Sequence, residues 1–318
     1  MISGRLRWLC LVVAAGFAAG ALNWIGHALP PPTGSDIDQL WLAARALAEG
    51  RSPYQAVMEA HRGSVLGYPL YFSLYYPLPA VLLLLPLAPL SFEVARAVWA
   101  GVGVAVFTAA ALRYRRGLPQ ALLSASLLNA VAQGQWSPLL VAAAVLPWFG
   151  FAWIAKPTVG AALFAGYPTR AAVWGAGAMV AVSLLAWPSW PGEWLDAVRH
   201  ADHLRPLVSR PGGGLLLLAL LRWKEPEARL LAALACVPQT ASLYESLPLF
   251  LIPREKSEGY LLAALSYLPA LVPALLQPGA TSAPLESEIE ASWPWLFLSL
   301  YLPALLMVLR KRRSKERE

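Results

Sequence analysis

The sequence predicts an all-α fold, a polytopic bundle of transmembrane helices, and three observations carry this prediction. Hydrophobic residues make up 58% of the 318 residues and charged residues only 14%. Mean hydropathy is +0.53, and apolar runs recur along the whole chain with basic residues flanking the first and the last of them. Soluble domains carry about a quarter charged residues. Because this chain has too little polar surface to cover a globule in water, we expect a single integral membrane domain over 1–318.

The apolar runs predict about ten membrane crossings, give or take two, because a crossing helix needs about 20 apolar residues. Pro and Gly interrupt several runs, and 158–187 is long enough to hold two crossings. Proline inside a crossing frees backbone groups that neighbouring helices must satisfy, so we expect an irregular, packed bundle. The runs are 6–28, 76–92, 94–112, 118–133, 137–154, 158–187, 213–222, 228–252, 259–277 and 292–309.

Both ends of the chain are basic. Arg5 and Arg7 precede the first run, and the tail 310–318 carries six Lys and Arg residues. The positive-inside rule then predicts that both termini are cytoplasmic, and we expect a multi-pass protein of the plasma (inner) membrane. The same charges argue against nucleic-acid binding, since they flank apolar spans and form no aromatic-laced groove. The first run is too long for a signal-peptide core and predicts a retained anchor.

The segment 30–75 is hydrophilic and, on this topology, forms an extracytoplasmic loop. Asp38, Arg45 and Glu49 lie on one side of a helical period within it. The segment therefore predicts a short amphipathic helix in the outer membrane interface. The apolar stripe on the other side of this helix consists of Ile37, Leu40, Trp41, Ala44, Leu47 and Ala48.

Two acids, Asp36 and Asp38, open this helix and allow two interpretations. In the structural one, Ser35 or Asp36 caps the helix with Gln39 at its third position, and each acid gains about 0.3–1 kcal/mol from the helix dipole. In the functional one, Asp36 is a carboxylate base that removes a proton from an acceptor hydroxyl at the membrane surface. The two are compatible, because a capped helix end is a rigid place to hold a base.

Several cations are candidates for holding a phosphate group. Lys156 lies in an apolar run, where an ionisable residue is a functional candidate by default, the alternative being a lysine that snorkels to the interface. The hydrophilic segment 189–212 offers a set of basic residues, namely Arg199, His200, His203, Arg205 and Arg210. Arg199 and His203 are four positions apart and share a helical face, which suits a phosphate headgroup, the alternative being an ordinary interfacial loop. Its histidines form no specific metal signature, so we expect no metal and no cofactor.

Four elements, in chain order, resemble glycosyltransferase family 87. The first is the outer-loop acid followed five positions on by Trp41, then by Ala-Ala-Arg-Ala-Leu and Pro53-Tyr54. Tyr76-Pro77-Leu78-Pro79, Gly134-Gln135 and Lys156-Pro157-Thr158 follow in the same order as in the family. Members of that family are membrane transferases of GT-C architecture that use polyprenyl-phosphate sugars.

The resemblance implies a GT-C-like bundle whose partners are a polyprenyl-phosphate sugar donor, a lipid or glycan acceptor and the membrane. It implies that Asp36 is the general base, with Asp38 as the second choice. The helical spacing would pair Asp38 with Arg45. Arg45, Tyr54 and Gln135 join the donor-binding candidates, together with the set Lys156, Arg199, His203 and Arg205. We therefore expect a hexosyltransferase that moves a mannose-like sugar on the outer face.

Two other functions fit the same sequence. A transporter or flippase of lipid-linked or anionic substrates would use the same cavity and cations without a base. A non-catalytic membrane scaffold would need neither. The substitution Asp36→Asn separates these alternatives, because a transferase loses turnover and a transporter is much less sensitive to the loss of a base.

Overall fold

The computed structural model describes residues 4–28, 35–62, 73–114, 116–199, 201, 204–276 and 285–310. These residues are largely helical, and the extended structure among them is the two-residue pair β1 (Arg205–Pro206) and β2 (Pro238–Gln239), which is antiparallel. The all-α class is therefore confirmed. The α-helices are α1 (Gly4–Ala28), α2 (Asp36–Ala48), α3 (Pro53–Arg62), α4 (Leu78–Leu84), α5 (Phe92–Tyr114), α6 (Ala125–Ala132), α7 (Ser137–Ala143), α8 (Pro157–Gly166), α9 (Arg170–Ala186), α10 (Trp190–Arg199), α11 (Pro226–Cys236), α12 (Lys256–Leu265), α13 (Leu268–Leu276), α14 (Leu285–Leu296) and α15 (Leu302–Leu309).

Tighter and wider helical turns connect many of these helices. One π-helical turn, Phe297–Tyr301, joins α14 to α15 without a loop. The 3-10 helices are Leu85–Leu87, Leu118–Leu123, Pro147–Ala155, Leu207–Ser209, Gly213–Arg222 and Leu243–Leu251.

Four helical stretches among the described residues are long and apolar enough to cross a membrane, and α9 with α10 makes a fifth if the 103° bend between them lies within one crossing. The chain is thus a multi-pass membrane protein, as the sequence predicts. The number is smaller than the ten expected runs, because several runs fold as helices shorter than a crossing. The four stretches are Gly4–Ala28, Phe92–Tyr114, Lys256–Leu276 and Ile289–Leu309.

Prolines explain why the apolar runs are divided. Pro138, Pro157 and Pro226 each lie in the first turn of a helix, and Pro147 begins a 3-10 helix in the middle of the run 137–154. Proline lacks the N–H that a helix interior needs but fits a first turn, where that group has no intrahelical partner. Each of these prolines therefore begins a new element instead of bending a long one.

Helices α1 and α5 pack antiparallel through a seam of small residues. A Cβ atom on Gly16 would lie 2.8 Å from the Gly101 carbonyl oxygen, and one on Gly20 would lie 2.9 Å from that of Ala97. Close backbone approach of this kind is the usual way in which membrane helices associate, since lipid offers no hydrophobic drive between them. The rest of α1 is mostly exposed, as at Phe17, and is available to lipid.

The two ends of the bundle can be told apart from their contacts. At one end, the Asn23 side chain near the C-terminus of α1 donates to the Val131 carbonyl at the end of α6 (2.8 Å). At the other end, Tyr114 at the C-terminus of α5 donates to the Leu251 carbonyl (3.3 Å). Since α1 and α5 are antiparallel, α1 begins at this second end. Helix α2 begins at the first end.

Candidate functional site

The N-terminus of α2 is held against the turn between α6 and α7. The Asp36 backbone N–H donates to the Gln133 carbonyl (3.2 Å), and the Trp99 indole donates to the Gly134 carbonyl (2.9 Å). Gly134 has a φ of +60°, and a Cβ atom there would lie 2.8 Å from Ile37 Cγ2. Glycine suits both the left-handed backbone and the close approach, so this turn fixes where α2 begins.

The Asp36 carboxylate, half-buried at this junction, accepts hydrogen bonds from two distant parts of the chain. Gln135 Nε2, one residue beyond Gly134, donates to Asp36 Oδ2. The Tyr244 hydroxyl donates to the same oxygen over a long 3.5 Å. Tyr76 also lies close enough to interact with Asp36 and Gln135. The structure thus brings the Tyr-Pro and Gly-Gln elements of the sequence together around Asp36.

The environment of Asp36 raises the pKa of its carboxyl above the ordinary 3.8, and burial is the main cause. Lys156 and the hydrogen bond from Gln135 oppose the shift, whereas the negative charges of Asp38 and Glu245 add to it. A carboxylate whose pKa is raised binds a proton more readily than a free one, which is the property that a general base needs.

Asp38 has a different environment, although it lies only two residues on. Its side chain is fully buried, and the Arg96 guanidinium donates to both of its oxygens at 3.0 and 3.1 Å. The Ser35 backbone N–H and hydroxyl also donate to these oxygens, at 2.8 and 2.6 Å. Ser35 is therefore the N-cap residue, and the third helical position of this capping box is Asp38 and not Gln39. These four donors occupy acceptor sites on both Asp38 oxygens, so the contacts of Asp38 are with the protein itself.

The partner of Asp38 is thus Arg96 of α5, not Arg45 as the helical spacing suggested. Arg45 is exposed, and its guanidinium lies over the Trp41 ring at 4.9 Å. A single-helix pattern places Asp38 and Arg45 on one polar side, but α5 buries that side of the helix start and brings its own cation.

Lys156 and Glu245 form a buried ion pair next to Asp36. Lys156 Nζ lies 2.9 Å from Glu245 Oε1, with 13% of the lysine side chain and 0% of the glutamate side chain exposed. The same ammonium lies 4.8 Å from the centre of the Tyr244 ring, whose hydroxyl points to Asp36. Lys156 precedes Pro157 at the start of α8, and Glu245 lies in the 3-10 helix Leu243–Leu251.

The remaining candidates lie farther from this junction or outside the described residues. Tyr54 is buried, and its hydroxyl donates to the Tyr76 carbonyl (3.1 Å), so it supports a residue that contacts the site. Arg199 is exposed and pairs with Asp196. Arg205 is exposed in β1. His203 lies outside the residues that the structure describes.

Arg210, another of the basic residues of the segment 189–212, has a closer relation to the site. Arg210 is half-buried, with its guanidinium over the Trp293 ring at 5.8 Å. Glu245 is near enough to interact with both Arg210 and Asp36, and with the Tyr301 hydroxyl. Glu245 is therefore near both the base candidate and Arg210.

Several buried polar atoms make no hydrogen bond within the described part of the chain, and they include Gln135 Oε1 and the Tyr301 hydroxyl, close to Asp36 and Glu245. Buried polar atoms are nearly always paired in native proteins, with protein, water or ligand. Such atoms are suited to contact the hydroxyl groups of a polar substrate. No group of three or more His, Cys, Asp or Glu side chains could hold a metal ion in the parts that the structure describes.

Sequence reasoning missed Arg96 altogether. The available signal was an arginine within the apolar run 94–112, since a charge at such a depth needs a buried partner. Glu245, an acid within an apolar run, gave a similar signal. The position of Tyr244 and Glu245 near Asp36, however, depends on contacts between residues about 200 positions apart.

Comparison of the chain with protein-family models, with curated proteins and with solved structures finds no match.

Proposed function

We propose that this protein is an inverting membrane glycosyltransferase. It transfers a hexose, mannose-like, from a polyprenyl-phosphate donor to a hydroxyl group of a lipid or glycan acceptor on the outer face of the inner membrane. Asp36 is the general base. A GT-C-like architecture, an outer position for α2 and cytoplasmic termini belong to the same proposal.

The observation that supports this function best is which of the carboxylates near the start of α2 are paired with a cation and which is not. Asp38 is paired with Arg96, and Glu245 is paired with Lys156. Among the described residues, Asp36 makes no salt bridge within 4 Å, and it accepts hydrogen bonds from neutral groups. A half-buried carboxylate with a raised pKa, held in place without a cation of its own, is suited to remove a proton from a bound hydroxyl.

The reaction needs one such carboxylate. The acceptor oxygen attacks the anomeric carbon of the sugar while its proton passes to Asp36, and the bond between that carbon and the phosphate oxygen breaks. The lipid phosphate leaves with the bonding electron pair. A single displacement of this kind inverts the anomeric configuration, and it requires no second carboxylate as a nucleophile.

Cations near the site would stabilise the departing phosphate. Arg210 is half-buried beside Glu245, and Arg205 is near enough to Arg210 to interact with it. Fixed positive charge where negative charge develops lowers a transition-state barrier. In this proposal Arg210 is the leading phosphate ligand of the segment 189–212, and Lys156, which is paired with Glu245, contributes positive charge at longer range.

The two ends of the bundle fit the proposed orientation. Asp36 lies at the end where α1 finishes, and Arg310 pairs with Glu258 at the end where α5 finishes. Gly259, next to Glu258, lies against Gly117 just beyond α5, so the start of α1 and Arg310 lie at one end and the candidate base at the other. With the basic end in the cytoplasm, Asp36 faces outward.

The proposal is tested with purified protein in lipid nanodiscs, a panel of radiolabelled polyprenyl-phosphate sugars and an extract of host lipids and glycans. We expect a labelled product from one donor, and Asp36→Asn should reduce the transfer rate by about 10²–10⁴-fold, the usual contribution of a general base. Binding of the donor, measured by scintillation proximity, should persist in this variant.

The matched control is Glu49→Gln, which neutralises an exposed acid just after the other end of α2. It should transfer at the wild-type rate. Transfer by Asp36→Asn at close to the wild-type rate would refute the assigned base. Movement of labelled lipid across the bilayer of sealed proteoliposomes, without any new product, would instead establish the transporter alternative.

A further inference from the structure

Glu245 is a buried acid that the proposed reaction does not use. It is fully buried in the 3-10 helix Leu243–Leu251, and its one salt bridge within the described residues is to Lys156. A buried ion pair is weak evidence for stability, since the cost of removing two charges from water can exceed their attraction. The position of this pair beside the candidate base therefore calls for another explanation.

Lys156 could reach Asp36 if nothing held it. Its ammonium lies against the ring of Tyr244, and the hydroxyl of that same ring is 3.5 Å from Asp36 Oδ2. Lysine has a flexible stem with several rotatable bonds, so a small rotation moves its charge by several ångströms. Among the described residues, the ion-pair partner of Lys156 is Glu245, at 2.9 Å.

We infer that Glu245 is a positioning residue that holds Lys156 away from Asp36, and so keeps the proposed base free of an ion pair. This inference rests on the proposed function for its catalytic meaning. A direct Lys156–Asp36 pair would stabilise the ionised carboxylate and reduce its tendency to take a proton from the acceptor. Glu245 also repels negative charge on Asp36, which acts in the same direction.

The other groups that face Asp36 do not provide this control. Gln135 and Tyr244 are neutral donors, and Tyr76 is a neutral phenol at physiological pH. Asp38 lies on the same helix, and its charge is matched by Arg96. The charge rearrangement that these contacts allow next to Asp36 is therefore a move of the Lys156 ammonium from Glu245 to Asp36.

The protonation of Asp36 can be measured without any substrate. A hydrophobic carbodiimide adds to a protonated carboxyl group in a membrane protein, and peptide mass spectrometry separates adducts on Asp36 from those on Asp38. The pH at which Asp36 labelling is half-maximal then reports its protonation in the full-length protein in nanodiscs.

We expect Glu245→Gln to lower this midpoint by about 1–3 pH units, because the released Lys156 pairs with Asp36. The double variant Glu245→Gln/Lys156→Met should return the midpoint close to that of the wild type, and Glu245→Asp should leave it nearly unchanged. The control Glu227→Gln removes an acid that pairs with Arg116 at the opposite end of the bundle (3.5 Å), and it should not shift the midpoint.

An unchanged midpoint in Glu245→Gln, in protein that elutes as a single folded species, would overturn the inference, as would the same lowered midpoint in the double variant. The outcome is distinct from failure of the proposed function. If no donor supports transfer but the midpoints shift as expected, Glu245 controls Asp36 in a protein with another activity. If wild-type transfer is observed and the midpoint does not move, the transferase stands and the role of Glu245 falls.

Discussion

Asp36 should carry a cost in stability, because its ionised form is less favourable in the folded protein than in the unfolded chain. Burial raises the pKa of its carboxyl in the folded state. The stability that such a group contributes is fully present below its unfolded pKa and is lost as the pH rises through its folded pKa. At neutral pH the folded protein therefore holds an unfavourable charge at this position.

Replacing Asp36 with Asn should accordingly raise the melting temperature of the protein in detergent at pH 7. The gain should shrink as the pH falls toward the ordinary carboxyl value, because the wild-type carboxyl then becomes neutral as well. Differential scanning fluorimetry over a pH series measures both effects, and Glu49→Gln is again the control. A lower melting temperature for Asp36→Asn at pH 7 would contradict the buried, uncompensated state of this carboxylate.

The salt bridge between Arg96 and Asp38 joins helix α5 to the start of helix α2. Both side chains are buried, at 5% and 0% exposure. Removing one partner of a buried pair costs about 3–5 kcal/mol, because the other charge is left without compensation. We expect Arg96→Met to lower the free energy of unfolding by that amount, measured by denaturant titration in mixed micelles.

The double variant Arg96→Met/Asp38→Asn tests whether the loss comes from the orphaned charge. It should be more stable than Arg96→Met alone, with a coupling energy of about 0.5–3 kcal/mol. Strictly additive effects of the two substitutions would show that Arg96 stabilises the protein through packing, as in its contact with the Phe92 ring at 4.4 Å, and not through the ion pair.

The same element shows how far the sequence alone can predict the fold. The apolar stripe from Ile37 predicts a helix, and the structure has one over Asp36–Ala48. The stripe describes α2 by itself and places Asp38 on the polar side, whereas the structure buries it against α5. Burial and ion pairing at the site depend on residues 58 to 208 positions away, and a local pattern contains no information about them.

Helix α1 is held to the rest of the bundle mainly by the seam of small residues that it shares with α5. Gly16→Ala would place a methyl group 2.8 Å from the Gly101 carbonyl oxygen and should lower the unfolding free energy by about 1–3 kcal/mol. Gly26→Ala, on the same helix with nothing within 4 Å, should be neutral or stabilising by up to about 1 kcal/mol. Thermal melts of both variants in the same detergent measure the difference, and equal effects would contradict the seam.

The overall arrangement also predicts the topology of the chain in the membrane. Arg310 and the start of α1 lie at one end, with α2 at the other. Reporter fusions at both termini should be active only with a cytoplasmic reporter, and one inserted at the exposed Arg51 should be active only with a periplasmic reporter. Termini on opposite faces would be incompatible with an even number of crossings.

The separation of 58 positions between Asp38 and Arg96 imposes an order on biogenesis. At a synthesis rate of about 5–20 residues per second, the acid leaves the ribosome roughly 3–12 s before its partner. During that interval a lone charge cannot enter an apolar interior at acceptable cost, so the start of α2 has to wait in water. The end of the bundle at which α2 begins should therefore close only after α5 has been released from the translocon.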